Sequence, residues 1–176
     1  MKEYFCIVYA GPIRSAGGTA GALSLVIADY IRKIMGYETY DATEKEASRM
    51  VTQLYDYHER DANLQYLPSE KEIKFLVSNL PLQIDGDPSE EIEVSNYKDL
   101  ERIETNRIRG GACLVMGECI AQKASKIWNI LQRWSKDFDL EHWSFLEQFI
   151  SLQKKVKSKD QKSDGKILPI YTFIDD

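Results

Sequence analysis

Gly11-Pro12-Ile13-Arg14-Ser15-Ala16-Gly17-Gly18-Thr19-Ala20 places three glycines and an arginine between an apolar run and an amphipathic stretch. Glycine lets backbone N–H groups approach an anion closely, and the first N–H groups of a helix favour negative charge. Phosphate contact by Arg14, Ser15, Gly17, Gly18 and Thr19 is one reading. A tight turn that needs unusual backbone angles is the other. The segment fits neither GxxxxGKS/T nor GxGxxG. Glu104-Thr105-Asn106-Arg107-Ile108-Arg109-Gly110-Gly111 repeats the logic, with two arginines and an amide ahead of a diglycine. Arginine suits bidentate phosphate recognition, so Asn106, Arg107 and Arg109 are phosphate candidates. The competing reading has the arginines bracing the acidic segment beside them.

Asp85-Gly86-Asp87 has the look of a two-carboxylate magnesium site. Pro88 follows at once, and a plain turn is the favoured reading. His58 and His142 are the only histidines, which leaves no Ser/His/Asp or Cys/His set to assemble. Cys6, Cys113 and Cys119 form no CxxC pair, so no zinc site is expected and the thiols read as small buried hydrophobes. No catalytic residue and no metal ligand is assigned.

The net charge of −5 argues against a domain coated in nucleic-acid-binding surface, but the charge is uneven. From Asp85 to Glu104 eight acids face Lys98 and Arg102; from Thr105 to Lys136 six bases face Glu118. That basic stretch points to phosphate, or to a solvated helix face. No apolar run approaches the roughly 20 residues of a membrane-spanning helix, and no signal peptide opens the chain. The cytoplasm is the default compartment, with no membrane partner.

The elements that must position these residues follow from periodicity. Tyr4 to Ala10 reads as a buried strand. Leu23, Val26, Ile27, Tyr30, Ile31 and Ile34 recur at helical spacing and are expected to face the core, with Gly36 as the stop. Thr43–Glu46 and Ser69–Glu72 are capping boxes opening two further helices. Leu82-Gln83-Ile84 and Ile92-Glu93-Val94 suggest a β-hairpin through Asp85-Gly86-Asp87-Pro88. Gly110-Gly111 opens the longest helix, and a last helix runs from about Leu140 to Lys154. The lysine-rich stretch 154–166 reads as a flexible linker, and 167–176 as the start of a following, truncated element. The fold class is α+β: about five helices packed with a few short strands, with residues 1–153 as the main module.

Taken together, four blocks resemble one family in order. They are Tyr9 to Ala20, Leu64-Gln65-Tyr66-Leu67-Pro68-Ser69, Glu93-Val94-Ser95, and Glu104 to Gly111. The chain resembles the N-terminal region of the large subunit of archaeal family D DNA polymerases, from about Tyr4 to Trp143. That resemblance implies DNA-directed DNA synthesis by a heterodimer. Its large subunit carries a polymerase centre on double-psi β-barrels, and its small subunit is a metal-dependent 3′–5′ proofreading exonuclease. It further implies Mg2+ for the full polymerase, with none bound by this segment. The implied partners are primer-template DNA, the small subunit and the sliding clamp. The family's metal-binding aspartates lie far downstream, so no residue here inherits that role. The family also has helical sequence ahead of this strand and much more after Asp176, so the chain reads as a fragment, a split-gene product or an incomplete sequence. The segment is thus expected to act as a scaffold or nucleic-acid-positioning module. The alternatives are a free-standing phosphate- or nucleotide-binding enzyme and a subunit-docking module.

Overall fold

The computed structural model describes residues 3–10, 17–88 and 91–164, with the backbone alone for 161–164. Arg14 and Ser15, and all of 165–176, lie outside the described residues. Two short strands, β1 (Cys6–Tyr9) and β2 (Gln83–Gly86), pair in parallel, with Cys6 opposite Gln83 and Tyr9 opposite Gly86. Helices α1 (Gly18–Met35), α2 (Glu44–Arg60) and α3 (Glu70–Asn79) separate them in sequence. After β2 comes an irregular stretch, then α4 (Gly110–Leu114), a π-helical segment (Val115–Ala121) and α5 (Gln122–Trp134) as one continuous helix. A 3₁₀ turn (Glu141–Ser144) leads into α6 (Phe145–Asp164). This is α+β, as the periodicity led us to expect.

The capping boxes form as read. The Thr43 hydroxyl accepts from the Glu46 N–H and the Glu46 carboxylate accepts from the Thr43 N–H; Ser69 and Glu72 do the same for α3. The expected hairpin does not form. β2 pairs with β1, and the second run reaches instead to Arg107 through an antiparallel bridge at Glu93. Leu82, Gln83 and Ile84 are all buried, so β2 sits inside the molecule, where a long-range partner replaces the local one. The stretch 154–166 is helical as far as Asp164, an extension of α6 into what the composition suggested was a linker.

α1 carries the main correction. Its buried residues are Gly21, Ala22, Leu25, Val26, Ala28, Asp29 and Arg32, while Ile27, Tyr30, Ile31 and Ile34 face outward. The cause is close packing against the π-helical segment. A Cβ on Gly21 would sit 2.5 Å from Cys119 Sγ, so only the small-residue side of α1 can approach. Asp29, fully buried, anchors that side by accepting hydrogen bonds from Arg32 Nε (2.7 Å), Trp143 Nε1 (2.8 Å) and His142 Nε2. The π segment is buried along its whole length. Val115, Cys119, Ile120 and Ala121 are all buried in it, on backbone hydrogen bonds that span one residue more than those of an α-helix. Trp143, Leu146 and Phe149 close the core from α6 and the turn before it, each fully buried; a Phe or Leu so placed contributes about 1.5–3 kcal/mol.

Candidate nucleic-acid interface

Both strands point the same way, so their C-terminal ends lie side by side, and two glycines pack there. β1 ends at Tyr9. β2 ends at Gly86, whose absent Cβ would lie 3.0 Å from the Tyr9 carbonyl oxygen; for Gly111, at the start of α4, the figure is 2.5 Å. Side chains at either position would force the helix start away from the strand end. The crevice beyond the C-terminal ends of parallel strands, facing a helix start, is where α/β architectures place their ligands.

Asp85 and Arg109 hold this junction from inside. Arg109 Nη1 donates to Asp85 Oδ1 at 2.6 Å and its Nε donates to Gln53 Oε1 at 3.1 Å, with Arg109 only 1% exposed. Asp85 Oδ1 also accepts from the Gly86 N–H. The carboxylate of the aspartate pair that looked able to hold magnesium is therefore turned onto an arginine, while Asp87 is exposed. Beside it Arg49, fully buried on α2, donates to the carbonyls of Thr105 (2.7 Å) and Tyr97 (3.2 Å). Burial, with the Arg109 guanidinium nearby, pulls the Arg49 side chain down to about 10. Arg49 pins the segment 97–105 onto α2. That segment turns through Tyr97 and Asp99, both at positive φ (55° and 57°). Asn106 closes it: its Oδ1 accepts from the Asp99 N–H and its Nδ2 donates to Asp99 Oδ1, both at 2.8 Å.

The three candidates of the second block therefore part company. Asn106 is engaged in its own loop, Arg109 is buried on Asp85, and Arg107 stands exposed with no ion pair among the described residues. Gly17 caps α1 at φ +82°, which glycine adopts without strain. Among the described residues no side chain caps the helix, and no acid lies in its first turn. Gly17 and Gly18 line a recess of about 180 Å³ with Gln65, Glu118, Gln122 and Lys123. The Lys123 stem lies against Gly18, and Glu118 accepts from the Gln65 N–H at 2.9 Å. Lys126, Arg133 and Lys136 continue along the exposed side of α5 and just past its end. Cys113 and Cys119, raised to about 12 and about 11 by burial, are no nucleophiles at neutral pH. Among the described residues no three His, Cys, Asp or Glu side chains gather as a metal site would require, and no helix is long and apolar enough to cross a membrane.

Two residues of this arrangement escaped the sequence reading. Arg49 and Gln53, four apart on α2, share a face with Met50 and Tyr57, and that placement was the available signal.

Comparison with known proteins adds a family. Residues 1–152 match the family described as DNA polymerase II large subunit DP2, N-terminal. The DNA polymerase II large subunit of Nanoarchaeum equitans is 52% identical over 164 residues, covering 93% of this chain and 13% of that protein. The large subunits of Methanococcoides burtonii and Thermoplasma acidophilum are each 46% identical over 167 residues, again covering 94–95% of this chain and 14–15% of theirs. The chain thus spans about one seventh of the length of these relatives.

Proposed function

Because the chain belongs to the DNA polymerase II large-subunit family, matching its N-terminal region, we propose that it serves a DNA-directed DNA polymerase as a non-catalytic module that holds the phosphate backbone of primer-template. The observation that carries this is two sets of donor groups with no ion pair among the described residues, both beside tightly packed glycines: the start of α1 with Lys123, and exposed Arg107. Helix N–H groups and lysine meet one phosphate in the recess. Arg107, on a loop fixed by Arg49 and Asn106, meets another. Arg14 and Ser15 precede Gly17 in the sequence by three and two positions, close enough along the chain to add to the first contact. Arg109 acts as an internal brace.

Phosphoryl transfer by metal pairs needs fixed carboxylates, and the residues present do not fit that need. Asp85 is committed to Arg109, and among the described residues no three His, Cys, Asp or Glu side chains gather as a metal site. Mg2+, nucleotide addition and the 3′–5′ exonuclease belong on this reading to the rest of the large subunit and to the small subunit. The partners are primer-template DNA, the small subunit and, for processive synthesis, the sliding clamp, all in the cytoplasm.

The test is salt-dependent binding of labelled primer-template to the 176-residue chain. Each phosphate contact contributes about 0.9 to the slope of log affinity against log salt. Arg107→Ala and Lys123→Ala should each lower the slope by about one, while Lys74→Ala, already paired with Glu44 and Glu70, should leave it alone. Slopes unchanged in both of the first two variants would refute the reading.

A further inference from the structure

Exposed large hydrophobic side chains are scattered singly over ordinary surfaces. Here seven of the nine found among the described residues belong to one region. Ile27, Ile31 and Ile34 follow one another at i, i+4 and i+7 along the outer side of α1, at 58%, 42% and 68% exposure. Tyr30 extends the face sideways by an edge-to-face contact with Phe138 (5.7 Å between centroids), and Phe138 stacks on Trp134 (6.2 Å). The result joins a β-branched helical ridge to an aromatic platform, both in water.

Three kinds of occupant differ in what they would need here. A nucleic acid needs cations for its phosphates; the two basic residues on this half of α1 are spent, Arg32 inward on Asp29 and Lys33 on Asp139, which leaves Arg133 and Lys136 at the Trp134 edge and none along the isoleucine ridge. A bilayer surface needs a cationic border on both sides of such a helix face, and Arg133 and Lys136 supply it only at the Trp134 edge. A protein needs only complementary apolar shape. Ile27, Ile31 and Ile34 have the spacing with which a helix ridge enters a groove between side chains of another element. Relatives carry the matching segment as 13–15% of a far longer chain, so in them most of the subunit lies beyond the matched stretch. Interfaces between domains of one chain bury about 600–1,500 Å² and tolerate an apolar centre of this kind.

We propose that the outer face of α1, with Trp134 and Phe138, is the surface on which this segment docks against the remainder of the polymerase large subunit, through an apolar groove that receives the Ile27–Ile31–Ile34 ridge. The proposal rests on the family membership and not on the phosphate contacts, which lie elsewhere on the molecule.

The experiment uses the 176-residue chain and, as probe, the Nanoarchaeum equitans large subunit lacking its matching stretch, with binding followed by titration calorimetry. The wild-type chain should bind, and Ile31→Asp combined with Ile34→Asp should weaken binding at least tenfold, with Trp134→Ser weakening it less. Both variants should keep the wild-type melting temperature within a few degrees, since the face is solvent-exposed. Arg107→Ala should bind the probe as the wild type does, which separates this test from that of primer-template binding. Four results overturn the proposal. They are no binding by the wild type, equal binding by the double variant, self-association of the wild type that the double variant abolishes, and loss of labelled single-stranded DNA binding in the double variant in place of loss of protein binding.

Discussion

The two sides of α1 were built by opposite rules. Its outer side carries Ile27, Ile31 and Ile34, large and β-branched, yet it faces water. Its inner side carries Gly21, Ala22, Leu25 and Ala28, smaller on average, together with a fully buried aspartate. Volume decides between them. The π-helical segment comes so close that Gly21 leaves no room for a Cβ beside Cys119, and a face of isoleucines could not lie there. Hydrophobicity alone ranks the outer side first; close packing and a satisfied polar anchor select the inner one. A helix face that is strongly apolar and still unburied is then better read as an unfilled interface than as a core stripe.

The largest effect should come from removing the anchor. Asp29→Ala leaves Arg32, itself almost fully buried, without its carboxylate and strands the Trp143 N–H. Loss of one partner from a buried pair costs about 3–5 kcal/mol, and urea denaturation should show it. A loss below about 1 kcal/mol would break the comparison, because the inner side would then be held by apolar contact only.

Next in size is the close approach itself. Gly21→Val drives side-chain atoms into Cys119 and should cost about 1–3 kcal/mol by overpacking. Gly21→Ala combined with Cys119→Ala should recover part of the loss of Gly21→Ala alone, since the two residues touch and a double-mutant cycle reports coupling between neighbours. Strict additivity would mean that the strain lies elsewhere.

A smaller and more specific effect is expected with acid. Burial works to raise the Asp29 carboxyl, but hydrogen bonds from His142, Arg32 and Trp143 outweigh it and hold the group below its ordinary value of 3.8. A carboxyl depressed in the folded state adds stability that is fully present above its unfolded value. That stability is lost as pH falls through the folded one. Stability measured by urea denaturation should therefore drop below about pH 4, and Asp29→Asn should flatten part of that drop. An identical acid limb in wild type and Asp29→Asn would remove Asp29 from the account.

How much of this was legible in the residues depends on how local the cause is. Thr43–Glu46 and Ser69–Glu72 could be read because a capping box closes within four residues. Gly36 could be read as a stop for the same reason, and it adopts the expected left-handed conformation at φ 76°. The partner of β2 could not, since Gly86 pairs with Tyr9 across nearly half of the chain and a three-residue alternation carries no address. Nor could the π segment, which depends on neighbours from α1 and from Tyr66 packed against Gly117. In the candidate site Arg107 and Arg109 looked equivalent, two apart beside one diglycine. Only the fold turns Arg109 inward onto Asp85 and leaves Arg107 outside.

The smallest effect is the one that discriminates most between the two sides. Ile34→Lys replaces the most exposed residue of the outer ridge, 68% accessible, at the last turn of α1. Were that ridge part of the core, as periodicity suggests, a charge there would be ruinous; Leu25→Ala on the inner side, a mere truncation of a fully buried residue, should by comparison cost about 2–5 kcal/mol. On an exposed ridge the outcome reverses. Lysine has the better helix propensity of the two, and a cation in the last turn is favoured by the helix dipole. No basic residue stands three or four positions before Ile34, where Tyr30 and Ile31 are found, so no like charge opposes it. The stability of the 176-residue chain should therefore change by no more than about 0.5 kcal/mol, on the stabilising side if at all. A loss above about 1 kcal/mol in urea denaturation would show that the outer side of α1 already supports the fold of this segment, and the contrast between its two sides would fail.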